Sequence, residues 1–124
     1  MATTATTQVA IQKTVTATAV AIARGTRVTL QANGLVSASA LGVRGDYITL
    51  HDFAASGTGV AVPIGAGGSV PVLAGEASCD RGDAAYSMAA GLTGITTTNA
   101  ILLGKWLQAT ANGELGVVEI SSVA

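Results

Sequence analysis

The chain has 124 residues, of which 49% are aliphatic, aromatic or cysteine and 10% are charged, with a formal net charge of −1. A chain of this length forms one domain that buries about two thirds of the surface its unfolded form exposes. The composition excludes a disulfide framework, because there is one cysteine, and it excludes a phosphate-binding surface of clustered Lys and Arg, because the six cations are dispersed.

The N-terminal residues predict an arm followed by a strand. Residues 1–7 contain only Ala and Thr after the first Met, so residues 1–13 are predicted to be flexible or ordered by a partner, and residues 14–124 to form one β-rich domain. From residue 9 onward apolar residues alternate with polar ones, mostly Thr, which is typical of a half-buried strand. The alternation changes phase at Val20 and Ile22, which predicts a bulge or strand break near Ala19.

Residues 15–23 end in Ala21-Ile22-Ala23 and imitate a signal-peptide cleavage site, but they lack a preceding basic region and are interrupted by threonines. We therefore expect the protein to be made and used without secretion. No stretch reaches the roughly 18 continuous apolar residues of a membrane span, so we expect no membrane partner.

Further short strands are predicted around residues 28–30, 48–50, 60–64 and 70–72, separated by turns rich in Gly and Asn. Pro63 and Pro71 cannot donate to a ladder, so we expect them at strand ends or edges. Residues 84–90 and 100–109 have some helical character but are predicted as strands, because Gly104 costs a helix about 1 kcal/mol. The set predicts a mainly β single domain, either a barrel or a sandwich.

A weak internal repeat has an offset of 57 residues, the separation of Gly25 and Gly82. Identical positions in the first copy include Gly25, Ala32, Gly34, Leu35, Leu50, Ala54, Gly59 and Val60. A chain rich in Gly and Ala gives many such identities by chance, so the duplication stays open. A true duplication predicts two similar β halves that close one core.

Two Arg-Gly-Asp tripeptides occur, at residues 44–46 and 81–83. On an exposed loop such a tripeptide can present a cation and a carboxylate to an adhesion receptor. Both precede a strand pattern, where Gly-Asp is ordinary turn chemistry, and we favour the turn interpretation.

Other candidate sites have simpler structural explanations. His51 and Asp52 are neighbours, but adjacent strand residues point to opposite faces, so we expect a solvated histidine and not an acid/base pair. Residues 65–68 are glycine-rich without the Gly-Lys-Ser/Thr ending of a phosphate loop, which predicts a flexible hairpin connection. Cys79 is predicted to be a small buried residue. Trp106 is predicted to pack in the core, with an interface anchor as the alternative.

The C-terminal part of the chain carries a resemblance to a known family. Its order is a strand from about residue 68, Gly82-Asp83-Ala84-Ala85-Tyr86, a Gly- and Thr-rich turn at residues 91–96, the apolar segment 101–110 and the closing segment 116–120. This order resembles the small capsid decoration proteins of tailed bacteriophages, also called cement or head-stabilising proteins. Residues 25–64 resemble the family more loosely, and Ala85 and Trp106 depart from its usual pattern.

The resemblance implies a β-tulip-like domain that binds the outside of a mature capsid, often as a homotrimer, with the major capsid protein as its partner. It carries over no catalytic, cofactor-binding or metal-binding residue. Because only 10% of the residues are charged, against a typical value of about 25%, we independently expect oligomerisation or docking on a larger body.

The leading hypothesis is therefore a non-enzymatic virion protein, made in the host bacterial cytoplasm, that stabilises the capsid from its outer surface and has no nucleic acid, membrane or small-molecule partner. The alternative is a head-fibre or receptor-adhesion β-module that uses the Arg-Gly-Asp loops. An enzyme would need a composite site at a subunit interface, since one histidine leaves few catalytic combinations.

Overall fold

The computed structural model describes residues 12–120, so nearly all of the predicted arm, together with Val9 and Ile11, lies outside the described residues. Within this range the strands are β1 (Lys13–Ala17), β2 (Arg27–Leu30), β3 (Leu35–Ala38), β4 (Tyr47–Thr49), β5 (Thr58–Pro63), β6 (Gly68–Leu73), β7 (Ala84–Ser87), β8 (Thr93–Gly94), β9 (Leu102–Trp106) and β10 (Leu115–Ile120). No helix in the described part of the chain is long and apolar enough to cross a membrane.

The strands form two five-stranded units. The first unit is a closed barrel with the order β1-β3-β2-β4-β5, and the second is a sheet with the order β6-β10-β9-β7-β8. An isolated parallel bridge between Ala74 and Thr93 joins the two ends of that sheet. The prediction of a small, mainly β domain with a barrel is confirmed.

The two similar β halves that the internal repeat predicts are present, because equivalent residues pair in the same register in both units. The shared offset is 57 residues, as from Val15 to Val72. The antiparallel pair Val15 and Gly59 corresponds to Val72 and Gly116, the parallel pair Ala17 and Val36 to Ala74 and Thr93, and the isolated bridge of Ile22 with Phe53 to that of Cys79 with Thr110.

The expectation that the two halves close one core is wrong, since each unit has its own buried cluster. The first contains Val15, Ala17, Ile22, Val28, Val36, Phe53 and Ala61. The second contains Val70, Val72, Ala74, Cys79, Ala85, Leu103, Trp106, Val118 and Ile120, and it also includes Ile48 and Ile64 from the first half of the chain. The first unit therefore packs an apolar outer face, which includes Ile48 and Ile64, against the core of the second unit.

The glycine-rich segment after β5 is not a hairpin connection, which corrects that prediction. Strands β5 and β6 belong to different sheets, and a 3-10 turn (Ile64–Ala66) followed by two glycines with positive φ, Gly67 and Gly68, leads from one unit to the other. Ile64 in this turn is buried, so the connection is anchored in the second core.

The remaining element predictions hold with small differences. Strand β1 begins at Lys13, which pairs with Ala61, and it ends at Ala17, which confirms a break near Ala19. Pro63 is the last residue of β5, and Pro71 lies in β6 at one end of the sheet order. Residues 84–90 form β7 and the start of a 3-10 turn, and residues 100–109 contain β9.

Arg27 joins the two units. Its side chain is fully buried, and its guanidinium donates hydrogen bonds to four backbone carbonyls. Two of these acceptors, Val43 and Arg44, are in the first unit, and two, Met88 and Leu92, are in the second; the bonds to Met88 and Leu92 measure 2.6 and 3.1 Å. Burial lowers the pKa of Arg27 to about 10, so the group is charged at neutral pH.

Backbone groups complete this contact, which we call the junction. The Leu73 N–H donates to the Gly25 carbonyl at 3.0 Å, and the Gly91 N–H donates to the Ser39 carbonyl at 2.7 Å. Gly91 has a φ of +74°, and a Cβ there would lie 2.5 Å from the Arg27 carbonyl oxygen. Only glycine therefore allows the second unit to approach Arg27 this closely.

We expect Arg27→Met to lower the free energy of unfolding by about 3 kcal/mol, because four buried carbonyls lose their donor. Urea unfolding followed by circular dichroism measures the change. The exposed Arg81 supplies the control, since Arg81→Met should shift stability by less than about 0.5 kcal/mol. Equal effects of the two substitutions would show that the junction does not depend on Arg27.

Candidate interaction surface

The residues considered as catalytic candidates do not come together in the structure. His51 lies in the first unit and Cys79 in the core of the second. Among residues 12–120, no group of three or more His, Cys, Asp or Glu side chains could hold a metal ion. His51, Asp52 and Cys79 therefore form no nucleophile–base pair with one another.

His51 has a packing role at the surface of the first unit. Its ring stacks on Phe53 with a centroid distance of 4.9 Å, and its Nε2 accepts a hydrogen bond from the Val60 N–H at 2.9 Å. Nδ1 therefore carries the proton and donates to the Asp52 carbonyl at 3.0 Å. The side chain of Asp52 accepts from the Arg24 N–H, so His51 and Asp52 are not an acid/base pair.

Cys79 is fully buried, as predicted. Burial, with smaller contributions from the negative charges of Glu76, Asp83 and Asp80, raises the pKa of its thiol. The Sγ donates to the Glu76 carbonyl at 3.4 Å. A thiol with a raised pKa is a poor nucleophile, which agrees with a structural role.

Both Arg-Gly-Asp tripeptides directly precede strands, β4 and β7. Residues 81 and 82 form a turn, as the turn interpretation predicts, whereas residues 44 and 45 lie in an irregular connection that bends at Asp46. The carboxylate of Asp46 accepts from the Leu30 N–H at 2.8 Å, and that of Asp83 accepts from the Asp80 N–H at 3.0 Å. Asp83 thus stabilises its own turn, whereas Asp46 ties its connection to the end of β2.

Trp106 is fully buried in the second core, and its Nε1–H donates to the Gly94 carbonyl at 3.3 Å. The core prediction is confirmed, and a buried indole cannot serve as an anchor on the surface of the isolated chain.

A groove of about 750 Å³ lies on the outside of the second unit. It crosses β7, β9 and β10, where Ala84, Lys105 and Glu119 stand in one row of paired positions. All three side chains are exposed. Gly82, Gly104 and Leu102, which is 52% exposed, also line the groove.

A glycine forms the floor of the groove. A Cβ at Gly104 would lie 1.8 Å from the Glu119 carbonyl oxygen, so β9 and β10 could not keep their present separation with any other residue there. The close approach of these two strands leaves the groove open above them.

The groove residues are the repeat counterparts of the face that the first unit buries in the junction. Gly82 corresponds to Gly25 and Ala84 to Arg27, and Lys105 and Glu119 correspond in the same way to Ile48 and Val62. Arg27 and Ile48 are fully buried, whereas their counterparts are exposed. The second unit therefore exposes the face that the first unit uses for contact.

The first unit exposes the complementary face. In the junction the second unit contributes Leu73, the segment 88–92 and Leu115, which approaches Gly25. Their counterparts in the first unit are Thr16, residues 31–35 and Thr58, which we call the loop face. Residues 31–34 and Thr58 are exposed, and Thr16 and Leu35 are half-buried.

Sequence reasoning did not identify either surface. The signal was present in the repeat, because a buried apolar or arginine position in one copy matches Ala, Lys or Glu in the other. A change from apolar to polar or charged side chains at equivalent positions of the repeat indicates a face that is buried in one unit and exposed to solvent in the other.

Glu76 holds the loop that follows β8. Its carboxylate accepts hydrogen bonds from the N–H groups of Ile95 and Thr96 and from the Thr96 hydroxyl, the last at 2.8 Å. Partial burial acts to raise the pKa of Glu76, but these three hydrogen bonds outweigh it, and the pKa lies below its ordinary value. The ionised carboxylate therefore stabilises the folded state.

A solved structure of the N base of the head fiber protein gp8.5 from bacteriophage phi29 has a similar fold, with a TM-score of 0.71 and 18% sequence identity over 90% of this chain and 96% of that chain. No protein-family model matches the sequence, and neither does any curated protein. At this level of identity the similarity establishes the shared β architecture.

We expect Gly104→Ala to lower the free energy of unfolding by about 2 kcal/mol, because the added methyl forces β9 away from β10. Gly65→Ala is the matched control, since a Cβ at Gly65 meets no atom within 4 Å. Thermal unfolding compares the two variants, and similar melting temperatures would contradict the role assigned to Gly104.

We expect Glu76→Gln to destabilise the protein at neutral pH and to lose this effect in acid. A carboxyl with a lowered folded pKa stabilises the fold above its unfolded pKa, near the ordinary 4.5, and loses that contribution as pH falls through the folded pKa. Melting temperatures measured from neutral pH to about pH 3 should therefore converge for the wild type and the variant. With Glu119→Gln, an exposed control, no such convergence is expected; a constant difference for Glu76→Gln would refute the argument.

Proposed function

We propose that this protein is a non-enzymatic structural protein of a bacteriophage virion that binds the outer surface of the capsid. The observation that carries the proposal is the similarity of fold to the phi29 head fiber base, which extends over 96% of that chain. The C-terminal motif order that resembles capsid decoration proteins supports it independently, as does a surface with few charges.

The chemistry of the described residues supports a binding role over catalysis. His51, Asp52 and Cys79 each serve local packing or backbone contacts. The groove on the second unit is lined by Gly, Ala, Leu, Ile, Lys and Glu, which suits contact with a protein surface.

As a cement protein, the molecule stabilises the mature capsid by differential binding. It contacts neighbouring major capsid subunits only in the expanded lattice, and so lowers the free energy of that state relative to open or burst shells. We propose a homotrimer, in which three modest contacts act as one slowly dissociating clamp through effective concentration. The protein is made in the host cytoplasm and remains on the virion.

The second candidate is the base of a head fibre, and the structural similarity to the phi29 protein favours it specifically. Both functions place the chain on the outside of the capsid. They differ in whether the domain stabilises the shell or carries a projecting appendage.

The protein composition of purified particles, measured before and after mild heating, tests the proposal. Hundreds of copies per particle, with DNA released as they dissociate, support the cement function. A few tens of copies whose loss leaves the DNA packaged support a fibre base. Absence from particles overturns both.

We expect removal of residues 1–11 to weaken capsid binding while leaving the fold unchanged, because the arm can add a strand to an exposed edge of a capsid sheet. The deletion keeps β1 complete from Lys13. Occupancy on particles that lack the protein, measured by mass spectrometry, reports binding, and circular dichroism reports folding. Unchanged occupancy would remove the arm from the mechanism.

The Arg-Gly-Asp loops need their own control. Asp46→Glu combined with Asp83→Glu keeps both carboxylates but changes the tripeptide geometry. A capsid protein should keep its particle occupancy, whereas a receptor-adhesion module should lose binding to cells.

A further inference from the structure

We propose that the groove on the second unit is the docking site for the loop face of a second copy of this chain, so that copies join head to tail. The inference deepens the proposed function, because it names the partner through which the chain self-associates. The inference is drawn from the repeat. Because the two units are similar, the contact that joins the first unit to the second within one chain can recur between the second unit of one copy and the first unit of another.

The faces that are buried in the junction have exposed counterparts elsewhere on the chain. Within one chain, the face of the first unit that carries Gly25, Arg27 and Ile48 is buried by the second unit. The same face of the second unit is the exposed groove, and the partner face of the first unit is the exposed loop face. Within residues 12–120, one chain thus carries both halves of the same kind of contact, and neither half is covered by these residues.

Backbone features that shape the junction are repeated at the free faces. Gly91, which allows the close approach to Arg27, corresponds to Gly34, and the two have φ values of +74° and +85°. The Met88 N–H donates to the Leu92 carbonyl, and the Gln31 N–H donates to the Leu35 carbonyl in the same way. The turns between these residues differ, since Ala90 has a φ of +59° and the Gly91 N–H donates to Ser39, whereas the Gly34 N–H donates to the Gln31 carbonyl at 2.9 Å. The Gln31 and Leu35 carbonyls each keep a second lone pair for a donor from another molecule.

The groove supplies a cation for those carbonyls from a neighbouring strand. Ala84 replaces Arg27 in β7, but Lys105, paired with Ala84 across the sheet, replaces the buried Ile48. An ammonium has three donors on a flexible stem, which suits the carbonyls of Gln31 and Leu35. Lys105 is exposed and free to reach them.

The contact between copies is more polar than the junction. Leu73 and Leu115 in the second unit correspond to Thr16 and Thr58, whose hydroxyls are 2.9 Å apart and hydrogen-bonded. Hydroxyl and amide groups, like those at the polar rim of protein interfaces, stay hydrated while no partner is bound. A head-to-tail contact of this kind closes into a ring when its rotation allows, which agrees with the proposed trimer.

Cysteine cross-linking of the full chain tests the orientation. Ala84→Cys places a thiol in the groove, and Asn33→Cys places one on the loop face; Cys79 is buried and stays unreactive. With a short bismaleimide, an equal mixture of the two variants should give at least about tenfold more covalent dimer than either variant alone. Efficient linking of either variant to itself, or no linking in the mixture of folded variants, would overturn the proposal.

A second measurement tests Lys105. Sedimentation should show that Lys105→Ala weakens self-association by about tenfold or more, whereas Arg81→Ala, which removes the same charge from an exposed position outside the groove, should not. Melting temperatures confirm that both variants fold. Equal association of the two variants would contradict the assignment of the groove.

The two proposals can fail separately. Copies that bind capsids but never link groove to loop face would overturn this inference and leave the proposed function intact. Copies that link head to tail but do not bind capsids would leave the inference intact and overturn the function.

Discussion

The arrangement of the two units depends on one buried cation. The Arg27 guanidinium lies between the barrel and the second sheet and is bound by four backbone carbonyls, two from each side. Removing a charged group from water costs free energy, and for this reason burial lowers the pKa of Arg27 to about 10. Hydrogen bonds to the planar fork of the group offset this cost, and a lysine could not reach all four acceptors.

The two units have similar backbones but differ in the side chains of the face that the Arg27 contact buries in the first unit. Their backbones pair in the same register, and tight glycines recur at equivalent positions, with Gly59 beneath His51 and Gly116 beneath Trp106. Side chains differ where one unit is covered and the other is not. Ile48 is fully buried by the junction, while Lys105 in the same place is exposed. The two units thus share one backbone plan, and side-chain differences at a few positions decide which face is buried and which is exposed.

Much of the fold could be predicted from the sequence, because strands with one buried face alternate with a period of two and glycine turns separate them. Val15 and Ala17 follow that pattern and are buried. The repeat was visible for the same reason, since its identities include turn glycines such as Gly25 and Gly82, whose φ values are both positive.

The junction and the groove could not be predicted from alternation alone, because alternation does not say which molecule or unit covers an apolar face. Ile48 has the same pattern whether it packs in its own barrel or against the second unit. In the sequence, Arg27 is one of six dispersed cations. Its hydrogen-bond acceptors are backbone carbonyls, which every residue has, so no acidic residue in the sequence marks Arg27 as buried. Comparing each residue with its repeat counterpart is the step that would have exposed both surfaces.

The difference in polarity between the junction and the groove has a physical reason. Units joined by one chain meet at high effective concentration, so their contact forms during folding and can use the buried side chains of Ile48 and Arg27. A contact between separate chains is exposed until a partner arrives, and an apolar surface there would associate indiscriminately. In the contact that we propose between copies, Lys105, Thr16 and Thr58 place polar groups on the two exposed faces, which favours pairing with a face of matching hydrogen-bond pattern over indiscriminate association.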